Sequence, residues 1–199
     1  MQPSSKLVVL AFLILILASC NATQPPATKQ QEPAQPAYRL TATVRDLMNA
    51  MIDPSADAIW DAVGTTITKG GKVEERRPKT DADWKTLEYR AIQMAEASNL
   101  LQMPGRHVGR PGEKNEQGIE LQPEEIEALI NKDRIAWDNY ANGMHDISVE
   151  TIKVIEAKNI NALFELGEKI DTACENCHLK YWYPNDANAA AAAPNAGKQ

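Results

Sequence analysis

Residues 159–184 read NINALFELGEKIDTACENCHLKYWYP. Asn159 suits a helix cap, and Pro184 ends what precedes it. Between them Ile160, Leu163, Phe164, Gly167 and Ile170 recur at helical spacing. Cys174, Cys177, His178 and Tyr181 continue that stripe without a break in phase. The segment predicts an amphipathic helix whose last turns carry two thiols and an imidazole on the core face.

Within it, Cys174-Glu175-Asn176-Cys177-His178 is Cys-x-x-Cys-His, the attachment sequence of a c-type haem. Positions three apart share a helix face. Two thiols can therefore hold one edge of a flat ring as thioethers while the histidine reaches its iron. A Cys-x-x-Cys pair can also be a disulfide, a redox pair or half of a zinc site. Zinc needs four ligands, and the remaining cysteine, Cys20, has another reading. A thioredoxin-like pair sits beside a βαβ pattern, and the sequence shows none. One covalent haem c is the expected cofactor.

Cys20 closes a leader. Lys6 precedes an apolar run from Leu7 to Leu17, too short to cross a bilayer comfortably. Leu17-Ala18-Ser19-Cys20 resembles the bacterial lipobox, which implies cleavage before Cys20 and lipid on its thiol. Residues 1–19 are then a lipoprotein signal peptide, and the mature chain sits lipid-anchored in the cell envelope, facing the periplasm. Asn21 is not the aspartate associated with inner-membrane retention, so the outer membrane is preferred. No cysteine is left for a disulfide.

The 199-residue chain is 43% hydrophobic but only 6% aromatic. That is one domain's worth with tails. Residues 20–38, rich in Pro, Gln and Ala, read as a tether. Residues 185–199 form an Ala/Asn-rich tail without a partner face, expected to be disordered. The domain is 39–184. The chain's net charge of −6 argues against nucleic acid. The expected partners are redox proteins, basic ones matching the acidic charge, together with the membrane and a second copy of the chain.

Three further helices are expected in the domain. The first starts near Thr41, with Val44, Leu47, Met48 and Met51 on its core side, and bends at Asp53-Pro54 before Ile59, Trp60 and Val63. Gly64 and Gly70-Gly71 close it, and Glu74 to Lys79 is a charged connection. The second begins at Thr80 with Asp83 as capping partner and carries Trp84, Leu87, Ala91, Met94, Ala95 and Leu101. A long glycine-bearing loop follows, long enough to be functional. Pro123 opens the third, with Ile126, Leu129, Ile130, Trp137, Tyr140, Ala141, Met144, Thr151 and Ile155 on its buried side and a bend near Gly143. No strand is expected. The fold class is all-α, an antiparallel up-down-up-down four-helix bundle enclosing one covalent haem c.

Antiparallel order puts the end of the fourth helix beside the start of the first, so Met48 and Met51 stand level with His178. Equal distances from the turn at Lys158 and Asn159 bring Trp137, Tyr140 and Ala141 level with Cys177. The long loop lies at the same end. His107 in that loop and His145 on the third helix are rival iron ligands, with solvent exposure the competing reading for each. A packing role competes with ligation for the methionines.

A C-terminal Cys174-x-x-Cys177-His178 with Tyr181 three residues on, ending a fourth amphipathic helix, resembles the cytochrome c-prime family. Some members of that family leave the iron five-coordinate under an apolar side chain, and low-spin members offer a methionine from the first helix. Arg45 and Leu47-Met48-Asn49-Ala50-Met51 occupy the matching region. The resemblance implies His178 and Met48 as the iron ligands, with Met51 second to Met48. Trp182 stands where the family commonly has a basic residue. The Asp53-Pro54 break and the long loop before Pro123 also depart from the compact pattern.

A histidine–methionine iron keeps its coordination in both oxidation states, and methionine raises its potential. The expected function is one-electron transfer, with no catalytic triad or second cofactor in view and so no enzyme. The alternatives are a five-coordinate haem protein that binds nitric oxide or carbon monoxide, and a non-catalytic haem subunit of a membrane oxidoreductase.

Overall fold

The computed structural model describes residues 38–115 and 120–184. Cys20, the leader, the tether up to residue 37 and the tail 185–199 lie outside the described residues. A compact unit starts at Arg39. It is mostly helical with little strand. Among the described residues no helix is long and apolar enough to cross a membrane.

The first helix begins at Val44, not Thr41, because Thr43 caps it. The Thr43 hydroxyl accepts from Asp46 N at 3.1 Å, and Asp46 Oδ2 accepts from Thr43 N at 3.0 Å. Val44 N and Arg45 N, unpaired at a helix start, donate to His107 O at 2.9 Å and Val108 O at 3.1 Å. The long loop is thereby fastened to the head of α1 (Val44–Leu47). The chain then passes through one π-helical turn (Met48–Ile52) into α2 (Asp53–Ala62). The expected bend at Asp53-Pro54 is thus an uninterrupted helix with a widened turn. Pro54 has no N–H, and its ring would strike the carbonyl four residues back in a regular helix. The widened turn avoids that clash, and Asp53 N donates to Met48 O.

After α2 comes a two-stranded antiparallel hairpin, where the sequence reading expected no strand. β1 (Gly64–Ile67) pairs with β2 (Val73–Arg76), Gly64 opposite Arg76 and Ile67 opposite Val73. The turn closes through Gly71 N to Thr68 O at 2.8 Å, with Gly71 at φ 78°, a conformation that favours glycine.

α3 (Asp81–Leu101) starts from the expected Thr80–Asp83 capping box. The expected third helix is two: α4 (Pro123–Lys132) and α5 (Arg134–Glu156). The break falls at Asp133, with φ −141° and ψ 71°, whose carboxylate caps α5 through Ala136 N at 3.0 Å. Gly143 lies inside α5, whose helix runs through it without a break. α6 (Ile160–Tyr181) is capped by Asn159, which accepts from Ala162 N at 3.1 Å.

α3 packs on α5, α5 on α6, and α2 on both α3 and α6. The core between them holds Ile59, Ala91, Met94, Leu163 and Ile170, all without exposed surface. Each fully buried aliphatic contributes about 1.5–3 kcal/mol. Phe164, read as core, is 64% exposed; Leu166, two residues on and across the helix, is buried instead.

Candidate functional site

The last turns of α6 face a cleft. Ala173, Cys174, Cys177 and His178 form one wall, and Met48, Ile52 and Asp53 from the π-turn and the start of α2 form another. Trp137, Tyr140, Ala141 and Met144 of α5 line the third side, with Leu101 from the end of α3. The space is about 450 Å³ including the part open to solvent, and its lining is largely apolar.

The walls are fixed by aromatic contacts and hydrogen bonds. Trp137 is buried and donates Nε1–H to Leu101 O at 3.0 Å. Its ring meets Tyr181 edge-on at 5.2 Å, and Tyr140 meets Tyr181 edge-on at 5.9 Å. Trp182 and Tyr183 flank the His178 ring at 5.7 and 5.9 Å. His178 O accepts from Trp182 N at 2.8 Å and Tyr183 N at 3.1 Å, which closes the helix end. Leu121 N donates to Trp182 O at 2.7 Å, so the long loop is tied to this end as well as to the head of α1.

Burial sets the chemistry of the two thiols. It pushes Cys174 up to about 12, with the charges of Asp53, Asp171 and Glu175 adding to the effect. Cys177 is likewise pushed up to about 12, by burial and then by Cys174. Both stay protonated at neutral pH, unlike the thiols of redox-active pairs, which sit in electropositive surroundings. They are not joined to each other. Burial also raises the Asp53 carboxyl, the His178 imidazole pulls it back, and Asp57 raises it further. Asp53 keeps much of its surface in solvent while it borders the cleft. Tyr181 has no exposed surface, its hydroxyl has no hydrogen-bond partner among the described residues, and burial pushes its pKa up to about 12.

Cys174, Cys177, His178 and Met48 thus border one cleft, and each is half-buried. Trp137, Tyr140 and Ala141 stand where antiparallel order put them. Met51 packs on the core but does not line the cleft. The His107 side chain is 73% exposed, with Nδ1 3.0 Å from Glu127. His145 has Nδ1 3.5 Å from Asp146. Neither histidine reaches the cleft.

Sequence reasoning missed Ile52 and Asp53 as wall residues. The available signal was Pro54, whose missing N–H rules out a regular turn before it. Met48, Asp53 and His178 also border a second, more polar cleft, with Arg45, Asn49 and Lys114. Among the described residues no cluster of three or more His, Cys, Asp or Glu side chains could hold a metal ion by itself. No protein-family model matches the chain, and neither a curated protein nor a solved structure is significantly similar to it.

Proposed function

We propose that the chain is an exported haem c protein that carries single electrons, its helices forming an antiparallel four-helix bundle around the cofactor. One observation carries the reading. Two thiols, an imidazole and a thioether from opposite ends of the sequence border one largely apolar cleft. These are the groups that hold a c-type haem with histidine and methionine axial ligands.

The residues fit the group. Cys174 and Cys177 would each add S–H across a vinyl of the ring, sulfur to one carbon and hydrogen to its neighbour, with no net oxidation. Thiols held protonated by burial suit that addition better than thiol–disulfide exchange, which needs thiolate. His178 offers one axial ligand and Met48 the other. Arg45, paired with Glu113 at 2.8 Å, and Lys114, 3.4 Å from Glu124, line the polar cleft and would have to exchange those carboxylates to meet the ring's acid side chains. The bound iron supplies a one-electron couple. The apolar walls exclude water from it, and the fixed rings of Trp137 and Tyr181 resist rearrangement between oxidation states. The leader reading adds lipid on Cys20 and a periplasm-facing membrane address.

A second reading is a haem protein that binds nitric oxide or carbon monoxide. One feature favours it: if Met48 does not ligate, the groups around it are Ile52, Leu101 and Met144, an apolar surround that leaves the iron open.

The deciding measurement is the absorption spectrum of the exported, reduced protein with and without carbon monoxide. A low-spin spectrum unchanged by the gas is the carrier's signature, and Met48→Ala then converts it to a high-spin spectrum that responds to the gas. A high-spin parent spectrum that shifts with carbon monoxide establishes the second reading. Colourless protein with Cys174 and Cys177 both free to alkylate would refute both.

A further inference from the structure

The β1–β2 hairpin plays no part in the cleft, and its side chains are unusual for a solvated turn. Ile67 is 71% exposed and Val73 58%, and the two face each other in register at the tip. Alternate residues along a strand share a face, so Ile67 and Val73 stand on the same face as Thr65 and Glu75. Thr65 and Glu75 border a groove whose other wall includes Phe164, itself 64% exposed. Three large apolar side chains, Ile67, Val73 and Phe164, therefore stand exposed on or beside the hairpin, and among the described residues none covers them.

The charge there runs against the rest of the chain. Residues 67–79 carry Lys69, Lys72, Arg76, Arg77 and Lys79 against Glu74 and Glu75, five positive less two negative or +3, in a chain of net −6. Two of the lysines lie within the turn, between Ile67 and Val73. Lys72–Glu74 at 2.9 Å, Arg76–Asp61 at 2.9 Å and Arg77–Glu75 at 3.4 Å are exposed ion pairs. Pairs of that kind contribute little, so these cations can exchange a carboxylate for another anion at small cost.

We propose that the hairpin tip is a membrane contact, seated on a leaflet rich in anionic phospholipid. Ile67 and Val73 enter the boundary between headgroups and acyl chains, and Lys69 and Lys72 meet the phosphates. Apolar side chains flanked by lysines are the composition that interfacial binding requires. The biological use of the contact rests on the lipid-anchor reading: an acyl chain on a tether restrains position but not orientation, and a second contact fixes which face of the domain turns outward. The physical contact requires neither lipid on Cys20 nor haem.

The test uses the full mature chain, exported behind a leader that is cut without lipidation. It is sedimented with vesicles of phosphatidylglycerol and phosphatidylethanolamine, and separately with vesicles of phosphatidylcholine. The chain partitions onto the anionic vesicles, less so as salt rises, and not onto the neutral ones. Lys69→Gln with Lys72→Gln lowers the partition about thirtyfold, from the usual attraction per lysine near an anionic surface. Ile67→Ser with Val73→Ser also lowers it, whereas Ile135→Ser, which removes a 77% exposed aliphatic from α5, does not. Circular dichroism confirms that the helices persist in every variant. Equal partition onto both vesicles, no partition onto either, or hairpin variants that bind like the parent would overturn the proposal. Because the vesicle assay needs no haem, colourless protein that still binds defeats only the function reading. Coloured protein that does not bind defeats only this one.

Discussion

The chain free of any haem should resist thiol alkylation while folded. An ordinary cysteine thiol of pKa 9.0 is about one-tenth thiolate at pH 8, whereas Cys174 and Cys177, pushed up to about 12, are about one ten-thousandth thiolate. That ratio alone slows reaction about a thousandfold. A more basic thiolate is also a better nucleophile, with a Brønsted slope of about 0.4–0.5. Over three units this returns a factor of about fifteen to thirty, so the net slowing is about thirty- to sixtyfold before steric access is counted. Iodoacetamide kinetics at pH 8, with each cysteine followed by peptide mass, give the native rate, and the same chain in urea gives the reference. The native rate then climbs about tenfold per pH unit through pH 9 to 11. Asp53→Asn supplies an internal control. The Asp53 charge helps to raise Cys174 but is not among the causes at Cys177, so the variant speeds Cys174 alone. Native and unfolded rates within threefold of each other would refute the burial argument. A native rate above the unfolded one would indicate an activated redox pair, which is incompatible with the reading offered for the cleft.

Two further outcomes concern stability. A Cβ at Gly167 would lie 3.1 Å from Trp60 Cδ1, and Trp60 Nε1 donates to Gly167 O at 3.0 Å. Gly167→Ala gains about 1 kcal/mol of helix propensity but displaces the indole at about 1–3 kcal/mol and weakens a bond of about 0.5–1.5 kcal/mol. Urea unfolding should therefore show a net loss of about 0.5–3.5 kcal/mol, and a stabilised variant would contradict the close approach. Acid should also loosen the fold. Backbone N–H donors, with Arg110 for Asp46 and Arg45 for Glu113, hold Asp46, Asp83 and Glu113 below their ordinary values of 3.8 and 4.5. Their stabilisation is present above those values and is lost as pH falls through and below them. Asp53, raised by burial, has the opposite sign: its charge opposes folding at neutral pH, and protonation relieves the cost. With Asp81 and Glu124, five carboxylates are depressed against one raised, so Tm falls between pH 5 and 3, and Asp83→Asn flattens the slope. A Tm that rises over that range would reverse the assignment.

Local signals were the ones that could be read without the fold. The Thr80–Asp83 box and the Asn159 cap depend on residues three apart, and both form. The hairpin escaped because Gly64-Thr-Thr-Ile67 and Val73-Glu-Glu-Arg76 have no buried face to impose alternation, and most of their residues are exposed. The β-branched Thr65, Thr66, Ile67 and Val73 around Gly70-Gly71 were the cue that remained. The break at Asp133 escaped for a different reason. Ile130 and Trp137 lie two helical turns apart and are both buried, so the apolar period runs across the break undisturbed. Only the capping chemistry of Asp133 marked it. Phe164 sat at the edge of a stripe whose centre is Leu163, Leu166 and Ile170, and size was taken for burial.

The cleft was legible to the extent that its residues follow from α-helical counting. That counting set Met48 and Met51 on one face and left Asp53 as a chain break. On the Met48–Asp53 wall of the cleft the helix departs from it at the π-turn. Pro54 cannot donate to Ala50, so the ladder shifts to residues five apart, and Asp53 N donates to Met48 O. A five-residue step brings Asp53 toward register with Met48 and carries the helix surface past Met51. Met48 and Asp53 consequently border both clefts with His178, and Met51 borders neither. The side chain that decides which thioether and which carboxylate confront the imidazole is therefore a proline with no chemistry of its own. Its effect is a missing hydrogen-bond donor, and a hydrophobic period has no means of registering one.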